Sequence, residues 1–300
     1  MGRRRKGDKV DGWLVIDKPL HMSSSQVVGK VRRITQAQKA GHGGTLDPLA
    51  SGILPVGLGE ATKTMPFIVD STKVYTFRVA WGTATDSDDC EGEVVADGGR
   101  VPEKQEIEDI LPSFMGEIGQ VPPAYSAIKV DGQRAYALAR AGKTVELQER
   151  IVQIHNLRHV GYDRSEGWSD FEVTCGKGTY VRSLARDIAL GLGTFGHVSI
   201  LRRTRVGPFS EKDAISLEKL EELGHSAPAA AYILPVMTAL DDIPALAISE
   251  EDAIRIKHGG SILGAADRPG TVVLTDGATP IAIAEALEDG TIKPVRVFNM

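Results

Sequence analysis

Residues 40–63 read AGHGGTLDPLASGILPVGLGEATK, the most constrained stretch of the chain. Its glycines (Gly41, Gly43, Gly44 and Gly52) make the first half a poor helix or strand interior, so it reads as a loop. They also let a ligand approach the backbone closely, at the entropic cost of ordering glycine. One imidazole, His42, and one carboxylate, Asp47, stand within it. Asp47 precedes Pro48, a pairing that suits a plain turn as well as a reactive group. No serine–histidine–acid triad, second clustered carboxylate or metal-ligating set accompanies it. If Asp47 is catalytic, it acts as a nucleophile or a single acid or base, without a metal. The run 53–58 then reads as a strand and 60–69 as a helix.

Upstream, Gly12-Trp13-Leu14-Val15-Ile16 reads as a strand ending at Asp17-Lys18-Pro19. Ser23 and Gln26 stand at capping-box spacing and open a helix whose apolar face is Val27, Val28, Val31 and Ile34. Downstream, 73–81, 150–160, 169–175 and 198–206 read as strands. Residues 103–114, 133–141, 180–190 and 250–257 read as helices, the first interrupted near Pro112. In the strand 73–81, Tyr75 shares a side with Phe77, Val79 and Trp81, as a core ring or as a pocket wall stacking on a planar ligand. In the helix from Tyr180, the buried stripe is Val181, Leu184, Ala185 and Ile188. Arg182 and Arg186 there form an i, i+4 like-charge pair, solvated or relieved by an anion. The acidic turn 86–93 reads as solvated.

Strands and helices without a strict βαβ rhythm predict a mixed α+β fold. Alanines and prolines cluster at 225–245, and three strands (271–275, 280–285, 292–298) follow a short helix. The expected organisation is a basic tail at 1–10, a catalytic domain at 11–240 and a small β-rich domain at 245–300.

The chain has 300 residues, 42% hydrophobic and 25% charged, the composition of an ordinary globular protein. No run approaches the length of a membrane span, and no apolar stretch follows Arg3, Arg4, Arg5 and Lys6 as in a secretory signal. Cys90 and Cys175 form no CxxC pair, which excludes a disulfide scaffold and fits a reducing cytoplasm. The net charge of −5 is unevenly spread: +6 over residues 1–65, −8 over 66–120, +5 over 121–210 and −8 over 211–300. An acidic total can hide a basic face that attracts a polyanion.

Three motifs are set aside. Gly191, Gly193 and Gly196 spell GxGxxG but close a helix, whereas a dinucleotide site needs them to open one. Asp86 and Asp88 begin like a calcium loop, yet Gly92 falls a residue late and Asp97 stands where the bidentate Glu belongs. His155 and His159 are four apart on a strand, without a third ligand.

Taken together, GWLVIDKP at 12–19, the stretch 40–63, KVYTF at 73–77, PPAYSAIKVDGQRAYALARAG at 122–142, GKGTYVRSLARDIA at 176–189 and HVSILRRTRVGPF at 197–209 resemble the bacterial tRNA pseudouridine-55 synthase (TruB) family. The resemblance covers roughly 200 residues in family order and weakens after about 240. It implies a pseudouridine synthase fold, a mainly antiparallel mixed sheet, with a small PUA-like RNA-binding domain at the C-terminus. It also implies isomerisation of one uridine in the T arm of tRNA, without a cofactor or metal, by a cytoplasmic enzyme expected to be a monomer with no obligate protein partner. Asp47 then resembles the family's nucleophilic aspartate, Arg182 the arginine paired with it, and Tyr75 the ring stacked on the target uracil. His42 resembles the histidine that supports base extrusion. Tyr180 and Leu201 resemble residues of the nucleotide pocket, and Lys18 a support of the catalytic loop. Gly43 departs from the small residue other members often carry, with little consequence. Phosphate contacts are expected from the basic segments 30–39, 129–143 and 202–205.

Two rivals lead to other outcomes. A non-catalytic RNA-binding protein would need neither Asp47 nor Arg182. A hydrolytic nucleosidase would need a positioned water and often a second carboxylate or a metal.

Overall fold

The computed structural model describes residues 7–126, 128–130, 132–141, 147–226, 231–264 and 268–300. Arg3, Arg4, Arg5, Lys6 and Lys143 lie outside them, as do Ala227, Pro228 and Ala229. In chain order the first elements are β1 (Gly12–Lys18), α1 (Ser24–Thr35), β2 (Ala40–His42), β3 (Ala50–Leu58), α2 (Met65–Asp70) and β4 (Lys73–Trp81). Next come β5 (Ala84–Thr85), β6 (Val94–Ala96), α3 (Lys104–Ile110), β7 (Gly116–Gln120), β8 (Lys129–Val130), β9 (Gln133–Arg134) and α4 (Ala135–Arg140). The chain then forms β10 (Arg150–Asp163), β11 (Trp168–Cys175), α5 (Val181–Gly191), β12 (Gly196–Val206), β13 (Phe209–Ser210), β14 (Ala214–Ile215) and α6 (Leu217–Ser226). Last are β15 (Ala245–Ala247), α7 (Glu250–Lys257), β16 (Ile262–Leu263), β17 (Gly270–Asp276), β18 (Thr279–Ala286) and β19 (Thr291–Val297).

A ten-stranded sheet runs β14-β1-β3-β12-β4-β11-β10-β7, with β13 paired to β12 and β2 to β3. Only the β1–β14 and β3–β12 pairs in it are parallel, so the fold is the mixed, mainly antiparallel α+β arrangement the sequence predicts. Its centre explains the apolar runs. Leu14 and Ile16 of β1 join the core that holds Val27 and Val31 of α1 and Leu184 and Ile188 of α5. Trp13 and Val15 face the other side and pack with Phe209, Val273, Ile283 and Phe298. A strand covered on both faces has no polar side to show. The second sheet, β15-β17-β18-β19-β16, has its own core of Ile256, Val272, Leu274, Ile281 and Ile292. No described helix is long and apolar enough to cross a membrane.

The capping box at the start of α1 forms as expected: the Ser23 hydroxyl accepts from the Gln26 amide, and Gln26 Oε1 accepts from the Ser23 amide at 2.8 Å. Two expectations shift. Residues 40–42 pair with 56–58 as a short strand instead of opening the loop. The segment 60–69 divides into a 3-10 turn at Gly59–Lys63 and the short helix α2, with Pro66 in its first turn, where a missing N–H costs nothing.

Candidate active site

The 43–49 loop leaves the edge strand β2 and enters β3 next to β12, so its shape depends on what lies beneath it. The Ser24 hydroxyl, just inside α1, accepts from the Leu46 amide at 2.8 Å and donates to the Leu46 carbonyl at 3.0 Å. The Ala50 amide donates to the Asp47 carbonyl, closing the turn. Lys18, at the end of β1 and fully buried, sends its ammonium to the carbonyls of Pro19 (2.8 Å), Met22 (2.7 Å) and Pro48 (3.4 Å). Burial, reinforced by the nearby Arg203 cation and opposed by Asp47, pushes the Lys18 ammonium down to about 8. The loop is thus tied to α1 and β1 immediately before and after Asp47.

The carboxylate itself meets α5. Arg182 Nη2 lies 2.8 Å from Asp47 Oδ2, with the guanidinium 4% exposed and the carboxylate 35% exposed. The same guanidinium reaches Asp89 Oδ2 at 3.2 Å and donates to the carbonyls of Ser87 and Tyr125, both at 2.9 Å. One turn along, Arg186 pairs with Asp88 at 2.8 Å and donates to the Val121 carbonyl. The acidic turn expected to be solvated is therefore a socket: Asp88 and Asp89 hold the two arginines of α5, and Asp89 is 3% exposed. That socket removes the like-charge cost of the i, i+4 pair. Burial pushes the Asp88 carboxyl up to about 6 despite its arginine. The sequence reading missed Asp88 and Asp89; the matching i, i+4 arginines were the available signal.

These segments enclose a cleft of about 1240 Å³ whose lining includes His42, Asp47, Asp89, Tyr125, Ser126 and Arg182. Of the predicted site residues, Asp47, Arg182 and His42 thus share one cavity. His42 is held towards the neutral form by burial and then by the Arg203 cation. Lys18, Tyr75, Tyr180 and Leu201 are outside that lining. Tyr75 sits on β4 opposite Arg203 of β12, with its hydroxyl pushed up in pKa chiefly by burial. Leu201 is packed in the core, opposite Ala50 of β3 and Phe77 of β4. Tyr180 precedes α5, its backbone exchanging hydrogen bonds with the Gln120 side chain, and burial raises its phenol.

The basic segments divide. Arg32, Arg33 and Lys39 are exposed on and after α1, but 202–205 is no free phosphate-binding stripe. Arg202 is bound by Asp17 and Glu211, and Arg203 is 1% exposed, leaving Arg205 at the surface. In β12 the period-two alternation from Leu201 carries Arg203 inward, a signal the run of arginines hid. The described side chains around 129–143 do not include Lys129, Arg134 or Arg140. Among the described residues no group of three or more His, Cys, Asp or Glu could hold a metal ion.

Comparison with known proteins identifies the family. The N-terminal domain of the TruB family pseudouridylate synthases matches residues 32–181, and the tRNA pseudouridylate synthase B C-terminal domain matches residues 182–241. The chain is 50% identical to the tRNA pseudouridine synthase B of Caulobacter sp. (strain K31), with all of both chains covered. It is 47% identical to that of Rhodospirillum rubrum, again over the full length of both. Among solved structures it resembles a chain of a Cbf5–Nop10–Gar1 complex, at 26% identity and a TM-score of 0.74, over 96% of this chain and 84% of that one. With two adjacent domain matches across residues 32–241 and half of its positions shared end to end with such relatives, this chain belongs to the TruB family of pseudouridylate synthases.

Proposed function

We propose that this protein isomerises uridine 55 in the T arm of tRNA to pseudouridine, with Asp47 as the reacting carboxylate. The observation that carries the reading is the 2.8 Å Arg182–Asp47 pair on a loop fixed from below, at a cleft larger than an ordinary small-molecule pocket. The relatives' names supply the tRNA, and the resemblance of the 40–63 stretch supplies the position.

The target uridine is stacked within a folded arm and must be flipped out, at a cost of a few kcal/mol. His42, held towards the neutral form at the cleft wall, supports extrusion of the base, and the Tyr75 ring replaces the lost stacking. Tyr180 and Leu201 bound the nucleotide pocket. Asp47 then attacks C1′ of the ribose, attacks C6 of the uracil, or removes a ribose proton. On each route the N1–C1′ bond breaks, the base rotates, a C5–C1′ bond forms, the C5 proton leaves and N1 gains one. Substrate and product have the same composition and oxidation state, so the reaction needs no redox cofactor. Arg182 aims the carboxylate from 2.8 Å away, and Lys18 holds the Pro48 carbonyl next to it.

The exposed cations of α1 supply phosphate contacts and a marked salt dependence. The five-stranded sheet over 245–300 acts as a PUA-like RNA-binding domain beside the catalytic domain of 11–240. The protein works as a cytoplasmic monomer.

The test uses tRNA transcript carrying tritium at uridine C5. Wild-type protein releases tritium and Asp47→Asn does not, while both bind tRNA, and mapping finds pseudouridine at position 55. Tight binding without release from either protein would sink the synthase reading in favour of a binding protein. Free uracil among the products would favour a nucleosidase.

A further inference from the structure

Arg203 is a buried cation outside the mechanism above. It is 1% exposed, sits on β12 beneath the 43–49 loop, and forms no ion pair among the described residues. Its guanidinium is spent on backbone instead. Nε donates to the Ile53 carbonyl at 2.8 Å, Nη2 to the Gly44 carbonyl at 3.1 Å and Nη1 to the Thr45 carbonyl at 3.4 Å. The Tyr75 hydroxyl faces the same guanidinium. The backbone approach is equally close: at Gly52, with φ at 101°, an added Cβ would lie 2.1 Å from the Arg203 carbonyl oxygen. One planar group therefore touches the chain on both sides of Asp47 and the ring assigned to stack on the base. A buried guanidinium without a carboxylate costs desolvation that only well-aimed acceptors offset, so a residue kept for stability alone would be better served by an apolar side chain.

We infer that Arg203 is a positioning residue for the isomerisation, fixing the carbonyls of Gly44, Thr45 and Ile53 so that Asp47 is presented to the base held at Tyr75. The inference rests on the reading of Asp47 given above. The rigid fork matters as well as the charge, since an ammonium is a compact point donor without the guanidinium's spread of N–H groups. A misplacement of about 1 Å at a reacting group costs on the order of 100-fold in rate.

The experiment compares wild type with Arg203→Lys and Arg203→Met, measuring the single-turnover rate at saturating tRNA, the tRNA Kd and the thermal midpoint. Arg203→Lys is expected to fold, to bind tRNA within about threefold of wild type, and to lose on the order of 100-fold in rate. Arg203→Met is expected to lose more rate at similar Kd. A folded Lys variant with a wild-type rate overturns the inference, and so does a loss in Kd that accounts for the loss in rate. An inactive wild-type protein would instead overturn the reading of Asp47. One measurement on the wild type is independent of whether variants fold. The inference expects amide exchange across the 43–49 loop as slow as in paired β3, and exchange at the pace of an open loop overturns it.

Discussion

Lys18 shows how one side chain links chemistry at the loop to the stability of the whole chain. Its ammonium is buried against three carbonyls and holds its proton only up to about pH 8 in the folded protein, against the ordinary 10.5. Between those pH values the unfolded chain keeps a proton that the folded one has released. The unfolded state then binds more protons, so stability rises with pH across that window. Lys18→Met removes this contribution. Urea unfolding at pH 7.5 and pH 10 should show the gain in stability on going alkaline reduced by about 2 kcal/mol in the variant. An unchanged gain would place the ammonium in water. The same variant loses its bonds to the Pro19, Met22 and Pro48 carbonyls, so its turnover is expected to fall while tRNA binding persists. Arg182 is less forgiving. It holds Asp47, Asp89 and the Ser87 and Tyr125 carbonyls together, so Arg182→Ala should abolish tritium release and leave Asp89 as a buried, unpaired charge. Arg182→Lys should restore folding before it restores rate.

Helix α5 and the turn at 86–92 form a second unit, because each carries the charges the other needs. Arg186 is 25% exposed and Asp88 is 12% exposed at their side chains, so the pair is partly screened. Arg186→Ala should destabilise by about 2 kcal/mol at pH 8, below the cost of breaking a fully buried pair. Asp88 protonates near 6 in the intact protein, and without its arginine it protonates at higher pH still. The penalty should therefore shrink at pH 5, where the carboxyl is neutral; urea titrations at both pH values test the sign. At this scale the sequence was most informative where periodicity or a cap set an element. The stripe Val181, Leu184, Ala185 and Ile188 is buried as its spacing predicts, and the Ser23 cap starts α1 where Ser-x-x-Gln placed it. It said least where one long-range partner decided the outcome. His42 joined a strand because 56–58 lay alongside, and Arg203 left the surface because the carbonyls of 44, 45 and 53 were there to receive it. Neither partner is near in sequence. The loop around Asp47 was singled out by the resemblance of 40–63, since its glycines and lone carboxylate alone suit a plain turn equally well. The acidic turn's carboxylates take their meaning only from two arginines almost a hundred residues away.

Across the whole molecule the two sheets share a core. Val273, Ile283 and Phe298 of the C-terminal region pack with Trp13, Val15, Ile53 and Phe209 of the main sheet. Polar ties run to the same place: Lys63 donates to the Val297 carbonyl at 2.7 Å, and the Asn299 amide donates to Glu60 at 2.6 Å. Both anchors lie in the 3-10 turn that directly follows β3, the strand that carries the loop's far end. The three strands read at 271–298 announced a small β unit, but not the face it turns to the main sheet, because Val273 and Ile283 look like any inward positions of an isolated sheet. A common core makes the two regions unfold together. Phe298 is 2% exposed, and Phe298→Ala should cost about 3 kcal/mol. Tryptophan fluorescence, with Trp13 in that core, and far-ultraviolet circular dichroism should report one coincident urea transition in the wild type and in the variant, moved to lower urea in the latter. Two separate transitions in the wild type would mean that the C-terminal sheet is an independent unit. Its influence on the loop would then have to pass through the Lys63 and Glu60 ties alone. If the transitions coincide, weakening Phe298 lowers the stability of β3 as well, and the catalytic loop loses rigidity with it.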